Sequence, residues 1–359
     1  MFQPTWEVEN LHRLVSEYFP VTGVLDDGGR PAFTVQLPPD SKARFLGLRR
    51  RLQATGLLPL LRRRVDGAIL AFMPQPPRGR WRWQINLLLF VLTIGTTFLA
   101  GYGMGSIPGA PGSAPDAVAS GIAFSTSLLL ILVVHEMGHK LVSMAHGIDA
   151  SLPYFLPMTP PIGTMGAIIV TREPAPNRDA LLDLGASGPI AGFLVALGVI
   201  ILGLSRSFVL DPSAVHNQLL VNYPDPLLVQ WLTRLVVRPQ DGQLILMHPI
   251  LFAGWIGLLV TSINLLPASM LDGGHVVRAI FGARRHRLIS FAAVAAALAL
   301  RYWLMAVLLL VFLLRLRRDH PGPLDDVSPL SRSRLLVALI LLGIFVVSVV
   351  PVDITPVRF

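Results

Sequence analysis

Two histidines four residues apart frame the run His135-Glu136-Met137-Gly138-His139. On a helix, residues i and i+4 share a face, so the two imidazoles can hold one metal ion between them. Glu136 projects beside them, placed to take a proton from a metal-activated water. That is the chemistry of hydrolysis, yet the flanking sequence is apolar enough to span a membrane. Water is the second reactant in hydrolysis, and lipid excludes water. The motif belongs in a bilayer only if the reaction itself takes place there.

Two histidines are too few for a hydrolytic zinc, which usually keeps three protein ligands and one open position. The chain has no cysteine, so it can form neither a disulfide nor a thiolate ligand, and any metal site must use nitrogen and oxygen. Few acidic residues sit close to an apolar span. Asp272 stands out, in Asn264-Leu-Leu-Pro-Ala-Ser-Met-Leu-Asp-Gly-Gly-His275. Pro267 breaks the helix there, and Gly273 and Gly274 leave the backbone free and closely approachable. The expected topology puts this segment at the same depth as the histidine pair, at the inner end of its own span.

With both segments in view, the sequence closely resembles the site-2 protease family of intramembrane zinc metalloproteases. The family's paired signatures are HExxH on one transmembrane helix and NxxPxxxLDG on a later one. Both are present without departure, the second as Asn264, Pro267, Leu271, Asp272 and Gly273. The resemblance extends through Gly163-Thr164-Met165-Gly166-Ala167 and Gly188-Pro189, and covers roughly residues 134–278. It implies one zinc per chain on His135, His139 and Asp272, with Glu136 as general base. It is most similar to the branch of archaeal, bacterial and plastid members with a cytosolic-side N-terminal domain, without PDZ or CBS domains. Soluble zincins also carry HExxH, but they do not surround it with lipid-facing leucine.

The same resemblance gives Asn264 a role in holding substrate or stabilising the oxyanion; an interhelical hydrogen bond is the alternative. Gly163, Gly166 and the β-branched Ile168, Ile169 and Val170 suit a short re-entrant strand. Its free edge could pair with a substrate helix that has unwound to expose its carbonyls. The alternative is a buried loop that covers the site. His275, one turn beyond Asp272, is either an outer support of the metal site or an interfacial residue. His146 reads as interfacial, His248 as a cap or border residue, and His216, His286 and His320 as loop residues. The stretch Arg172, Glu173, Arg178 and Asp179 reads as a solvated inner loop. Asp183 reads as lining a water path or sitting among headgroups.

These residues must be positioned by a membrane-embedded scaffold. The chain is 53% hydrophobic and 14% charged, the composition of a polytopic membrane protein. Its net charge of +9 is almost all arginine, Lys42 and Lys140 being the only lysines. The arginines cluster beside apolar spans, where they orient helices towards the cytoplasmic leaflet, so nucleic acid is not an expected partner. Residues 1–20 lack the apolar core of a cleavable signal, which leaves insertion to the first true span.

The fold class expected is mainly α: a polytopic bundle of about seven spans, six being possible, with a re-entrant β segment. A small soluble, cytoplasmic α+β domain is expected over 1–77, with helices at 5–18 and 41–55 and four strands. The turn Asp27-Gly28-Gly29 separates its first two strands, and Asp66-Gly67 its last two. After the linker 74–77, the protease core is expected over 78–320, and a C-terminal loop and last helix over 321–359. Arg78, Arg80 and Arg82 alternate with Trp81 and Trp83 to border the first span, 85–104. Further spans are expected at 122–146, 181–204, 250–266 and 335–350. The stretch 288–314 reads as one long tilted helix or as a hairpin around Arg301, and the positive-inside tendency of Arg315, Arg317 and Arg318 favours the hairpin.

The expected function is an intramembrane zinc endopeptidase acting on transmembrane protein substrates in the lipid bilayer, with a regulatory partner possible at the N-terminal domain. The expected site is a prokaryotic plasma membrane, N-terminus cytoplasmic. A catalytically silent membrane-protein binder of the same fold, or a metal transporter, are the alternatives. The intact Glu136 weighs against the first, and the gathering of ligand candidates at one depth against the second.

Overall fold

The computed structural model describes residues 8–26, 30–64, 67–77, 79, 81–105, 116–210, 219–221, 224–240, 242–300, 302–315, 320, 322–349 and 356–358. Asp27, Gly28, Gly29, Asp66, Arg78, Arg80, His216, Arg301, Arg317 and Arg318, all named above, lie outside the described residues.

The first elements are helix α1 (Val8–Ser16), strands β1 (Val21–Asp26) and β2 (Pro31–Val35), helix α2 (Ser41–Leu52) and strands β3 (Leu57–Arg64) and β4 (Gly67–Pro74). They occur in the order expected from the sequence and form an antiparallel sheet in the order β1-β2-β4-β3. Leu11 and Val15 of α1 and Phe45, Leu48 and Leu52 of α2 recur at helical spacing. They close over Phe33, Val35, Leu58, Leu70 and Phe72 of the strands.

This core is not filled by the N-terminal segment alone. Leu324 and Val327, about 260 residues further on, are buried in it. Leu61 N–H of β3 donates to Leu324 O at 2.9 Å. Leu61 and Asp325 pair as parallel bridge partners, so residues 323–326 extend the sheet beyond β3.

Helices α3 (Trp83–Gly105), α4 (Ala117–Ala145) and α5 (Arg178–Arg206) are long and apolar enough to cross a membrane. At 29 residues, α4 and α5 are each about 44 Å long, more than a hydrocarbon core of about 30 Å. A hairpin of β5 (Tyr154–Pro157) and β6 (Thr164–Ile168) lies between α4 and α5 in the chain. Phe155, Ile162 and Ala167 pack with Leu128, Leu129 and Leu132 of α4, just before the histidine pair. Helix α6 (Leu227–Val236) follows, then α7 (Pro249–Asn264), whose 16 residues give about 24 Å. Of the two roles expected for His248, cap and border residue, it takes the cap of α7, accepting from Ile250 N–H at 3.2 Å.

Helix α8 (Asp272–Ala299) begins on the third candidate ligand and is kinked at Gly282, whose φ of 79° lies in the left-handed region. The stretch 288–314 is not one helix. α8 stops at Ala299, α9 (Trp303–Arg315) starts four residues later, and Val294 and Leu309 pack together against Ala268. The final helix is α10 (Arg332–Ser348).

Charged pairs seat the N-terminal sheet on the helices. Arg49 of α2 meets Glu173 at 3.2 Å with both side chains buried, and its guanidinium also donates to the carbonyls of His146 and Gly147 at the end of α4. Lys42 meets Asp179 of α5 at 2.8 Å. Asp179 also accepts from the backbone and hydroxyl of Ser331, ahead of α10. Glu173 and Asp179 therefore do not sit in a solvated loop, because each has a cation from a different part of the chain to compensate its burial.

Candidate metal centre

The metal ligands implied by the sequence meet. His135 and His139 come from α4, and Asp272 from the first residue of α8. The two histidine Nε2 atoms are 3.3 Å apart, and each lies 3.4 Å from Asp272 Oδ2. Donor atoms bound tetrahedrally at about 2.0–2.1 Å from one zinc are about 3.3–3.4 Å from each other. The triangle thus has the size that a zinc ion needs, and its donors are the nitrogen and oxygen ligands zinc accepts. Among the described residues this is the one group of three or more His, Cys, Asp or Glu residues with converging ligand atoms.

The histidine rings are held from behind. His139 Nδ1–H donates to Leu184 O of α5 at 2.9 Å, which leaves Nε2 as the unprotonated nitrogen facing the triangle. Ser187 Oγ stands 3.5 Å from the same Nδ1. Three glycines of α5 make room for this arrangement. A Cβ on Gly188 would come 2.1 Å from His139 Nε2, one on Gly192 2.9 Å from His135 Nδ1, and one on Gly185 2.6 Å from Asp272 O. The four-residue step between Gly188 and Gly192 matches the step between the two histidines, so helix meets helix ring against backbone.

Asp272 is presented by a break between α7 and α8. Residues 265–271 leave the helix around Pro267, and Leu271 caps α8 in an extended conformation. Gly273 and Gly274 lie so close to the carbonyls of Leu265 and Ser269 that a Cβ on either would clash. The glycine pair after the aspartate is what lets the turn fold back under the helix it starts.

Glu136 is 5% exposed, next to its neighbour ligand on α4. Asn264, at the end of α7, brings its Nδ2 to 3.3 Å from His135 Nε2, so it stands at the triangle. Gly163 (φ 84°) is pressed against α3: a Cβ would come 2.6 Å from Thr96 O, and Thr96 Oγ1 donates to Gly163 O at 2.7 Å. Gly166 (φ 93°) has open space where its Cβ would be, beside the exposed Met165. β5 is the one strand neighbour of β6 among the described residues.

Several polar residues have partners that the sequence does not name. His146 is paired with Asp183 at 3.1 Å, and Asp183 holds Arg334 of α10 through two bonds of 2.8 and 3.1 Å. His286 lies within α8 rather than in a loop, whereas His320 lies in a loop and reaches His275 at 2.7 Å. Outside the spans, Trp81 and then Arg172 hold the Asp149 carboxyl below its usual range, tying the linker before α3 to the start of the hairpin segment. No local pattern announces these partners, because they are 23 to 151 residues apart.

Residues 123–310, more than half the chain, match the model of peptidase family M50. The Arabidopsis thaliana protein named probable zinc metalloprotease EGY1, chloroplastic, is 31% identical over 240 residues, covering 60% of this chain and 42% of that protein. Its Oryza sativa subsp. japonica counterpart is 29% identical over 57% of this chain and 39% of its own length. Probable zinc metalloprotease EGY2, chloroplastic, of Arabidopsis thaliana is 34% identical over 46% of this chain and 30% of its own. The matched region spans less than half the length of each of these relatives.

Proposed function

Since the chain belongs to peptidase family M50, the site-2 protease family, we propose that it is a membrane-embedded zinc endopeptidase that hydrolyses peptide bonds in or near transmembrane segments of other proteins. The observation that carries this reading is the ligand triangle with sides of 3.3–3.4 Å beside a buried glutamate. His135, His139 and Asp272 would hold one zinc ion per chain. Bound there, zinc supplies a Lewis acid that polarises a carbonyl and acidifies water.

Glu136 acts as the general base. It takes the proton from the attacking water and returns it to the leaving amine nitrogen as the peptide C–N bond breaks. Asn264, whose amide stands beside His135, orients the substrate carbonyl or stabilises the developing oxyanion. A substrate helix hides its carbonyls in internal hydrogen bonds and must unwind before cleavage. We assign the free edge of β6, with Gly163 and Gly166, to pairing with the unwound strand, as a re-entrant segment at membrane depth.

The reading includes a bundle of about seven spans with the N-terminal domain in the cytoplasm. It is supported by the break between α8 and α9 and by the arginines of 278–287. An integral membrane location is supported by the three long apolar helices, while the chloroplastic names of the relatives do not favour the prokaryotic plasma membrane expected from the sequence. Transmembrane proteins are the proposed partners.

The test is cleavage of single-span membrane proteins co-reconstituted with the chain in liposomes. Cuts within or beside the span, absent with Glu136→Gln and with chelator, are expected. Cleavage that persists in Glu136→Gln would remove this residue from the chemistry.

A further inference from the structure

Three histidines outside the ligand triangle gather beside the turn that presents Asp272. His275, one helical turn beyond Asp272, places Nδ1 at 2.7 Å from His320 Nε2. Gly322 N–H donates to His320 Nδ1 at 3.0 Å, which makes Nε2 the protonated nitrogen of His320 and the donor to His275. His286 packs edge-on against His320, with ring centroids 5.4 Å apart, and its Nε2–H donates to Ser269 O at 3.1 Å. Ser269 N–H in turn donates to Ser290 Oγ at 3.2 Å. Ser269 has φ 52°, a left-handed conformation costly for a residue with a side chain, so the turn before Asp272 needs this outside support.

The segment that carries His320 holds α8 a second time. Asp326 receives two bonds from Arg278, of 3.0 and 2.7 Å, and the Arg278 side chain is 3% exposed. Residues 324–325 are tied to the entry of α5, Leu324 N–H donating to Ala175 O and Asp325 N–H to Pro176 O. The far side of the segment is locked into the N-terminal sheet by Leu324 and Val327. The histidines do not make a second metal site, since their ligand atoms do not converge as those of the triangle do. The buried Arg278 cation beside Gly322 would also oppose another cation there.

We propose that His320 and residues 322–328 form a strap that positions Asp272, with His320 acting through His275 and Asp326 acting through Arg278. The N-terminal sheet is its anchor. The proposal rests on the zinc reading above and adds a route by which the N-terminal domain sets the affinity of the metal site without supplying a ligand. A partner that disturbs the sheet at Leu324 would act on Asp272 through the strap. His320 and Asp326 are positioning residues, because neither is a ligand of the triangle.

The full chain in detergent tests this by chelator competition for zinc and by the absorption spectrum of the cobalt-substituted protein. His320→Ala and Asp326→Asn are each expected to bind zinc about 10- to 100-fold more weakly and to change the cobalt spectrum. His320→Gln, whose amide can still donate to His275, is expected to recover most of the affinity. Leu324→Ala, a cavity in the anchor, is expected to weaken zinc as well. Should His320→Ala not fold, the near-isosteric Asp326→Asn decides. Folded variants with wild-type zinc affinity and cobalt spectrum overturn the strap alone. A wild type that binds no zinc overturns the metal reading, and the strap with it.

Discussion

The backbone of Gly188 lies directly beneath the imidazole of His139, so that a methyl group on Gly188 would stand 2.1 Å from Nε2. The ring cannot simply swing away, because its Nδ1–H is held by Leu184 O of α5, the same helix as Gly188, at 2.9 Å. Gly188→Ala is therefore expected to displace the ligand ring and lose zinc, at a packing cost of about 1–3 kcal/mol. Gly192→Ala, with its clash at 2.9 Å to His135 Nδ1, should be milder. Zinc content and thermal transition of the two purified variants check the order.

Glu136 is buried beside the triangle without being part of it. Glu136→Gln keeps the size and the neighbouring packing but removes the proposed base. Zinc should stay bound while turnover falls by about 10²- to 10⁴-fold, the usual weight of general base catalysis. Equal loss of zinc and turnover would instead make Glu136 a ligand. Metal content measured on the same preparation as activity separates the two.

Arg49 and Glu173 join the N-terminal domain to the helices through a buried pair, and Arg49 also serves the carbonyls of His146 and Gly147 just after α4. Removing one member strands the other charge. Arg49→Ala should cost about 3–5 kcal/mol at this seam. Limited proteolysis should then cut the N-terminal domain free well before the helices unfold. An unchanged digestion pattern would show that the apolar contacts of the strap suffice.

Asp225, in the loop between α5 and α6, has a buried Oδ1 with no hydrogen-bond partner among the described residues, and burial pushes its carboxyl up to about 6. A folded-state pKa above the unfolded one means the native state holds the proton more tightly. The stability this group contributes is full below about pH 4 and is lost as pH rises through about 6. Asp225→Asn should remove that slope and be the more stable form at neutral pH. Thermal transitions of both proteins across this range give the comparison.

The centre was far more legible in the sequence than its supports. HExxH and the Asn264–Gly273 run point to the candidate ligands, because helical spacing and a proline–glycine turn are local features. The triangle those residues form is what the two motifs imply once they share a depth. The N-terminal elements were legible for the same reason, Leu11 and Val15 or Phe45, Leu48 and Leu52 recurring with the helix period.

The pairs Lys42–Asp179, Arg49–Glu173 and Arg278–Asp326 were not legible. Each joins segments 48 to 137 residues apart, and a charge in a loop looks solvated until its partner is known. The contact of His320 with His275 was not legible either, because nothing near His320 in the chain shows that its loop folds back onto α8. The glycines of α5 gave a usable hint. Gly185, Gly188 and Gly192 fall on one face, which is what a helix needs when rings must lie against its backbone.

The most direct test of the central claim is the zinc stoichiometry of the detergent-purified full chain, measured beside Asp272→Ala. The three-ligand centre predicts close to one zinc per chain in the wild type and its loss in the folded variant. A folded wild type without zinc, or an Asp272→Ala protein that keeps it at full occupancy, would contradict the centre built on His135, His139 and Asp272.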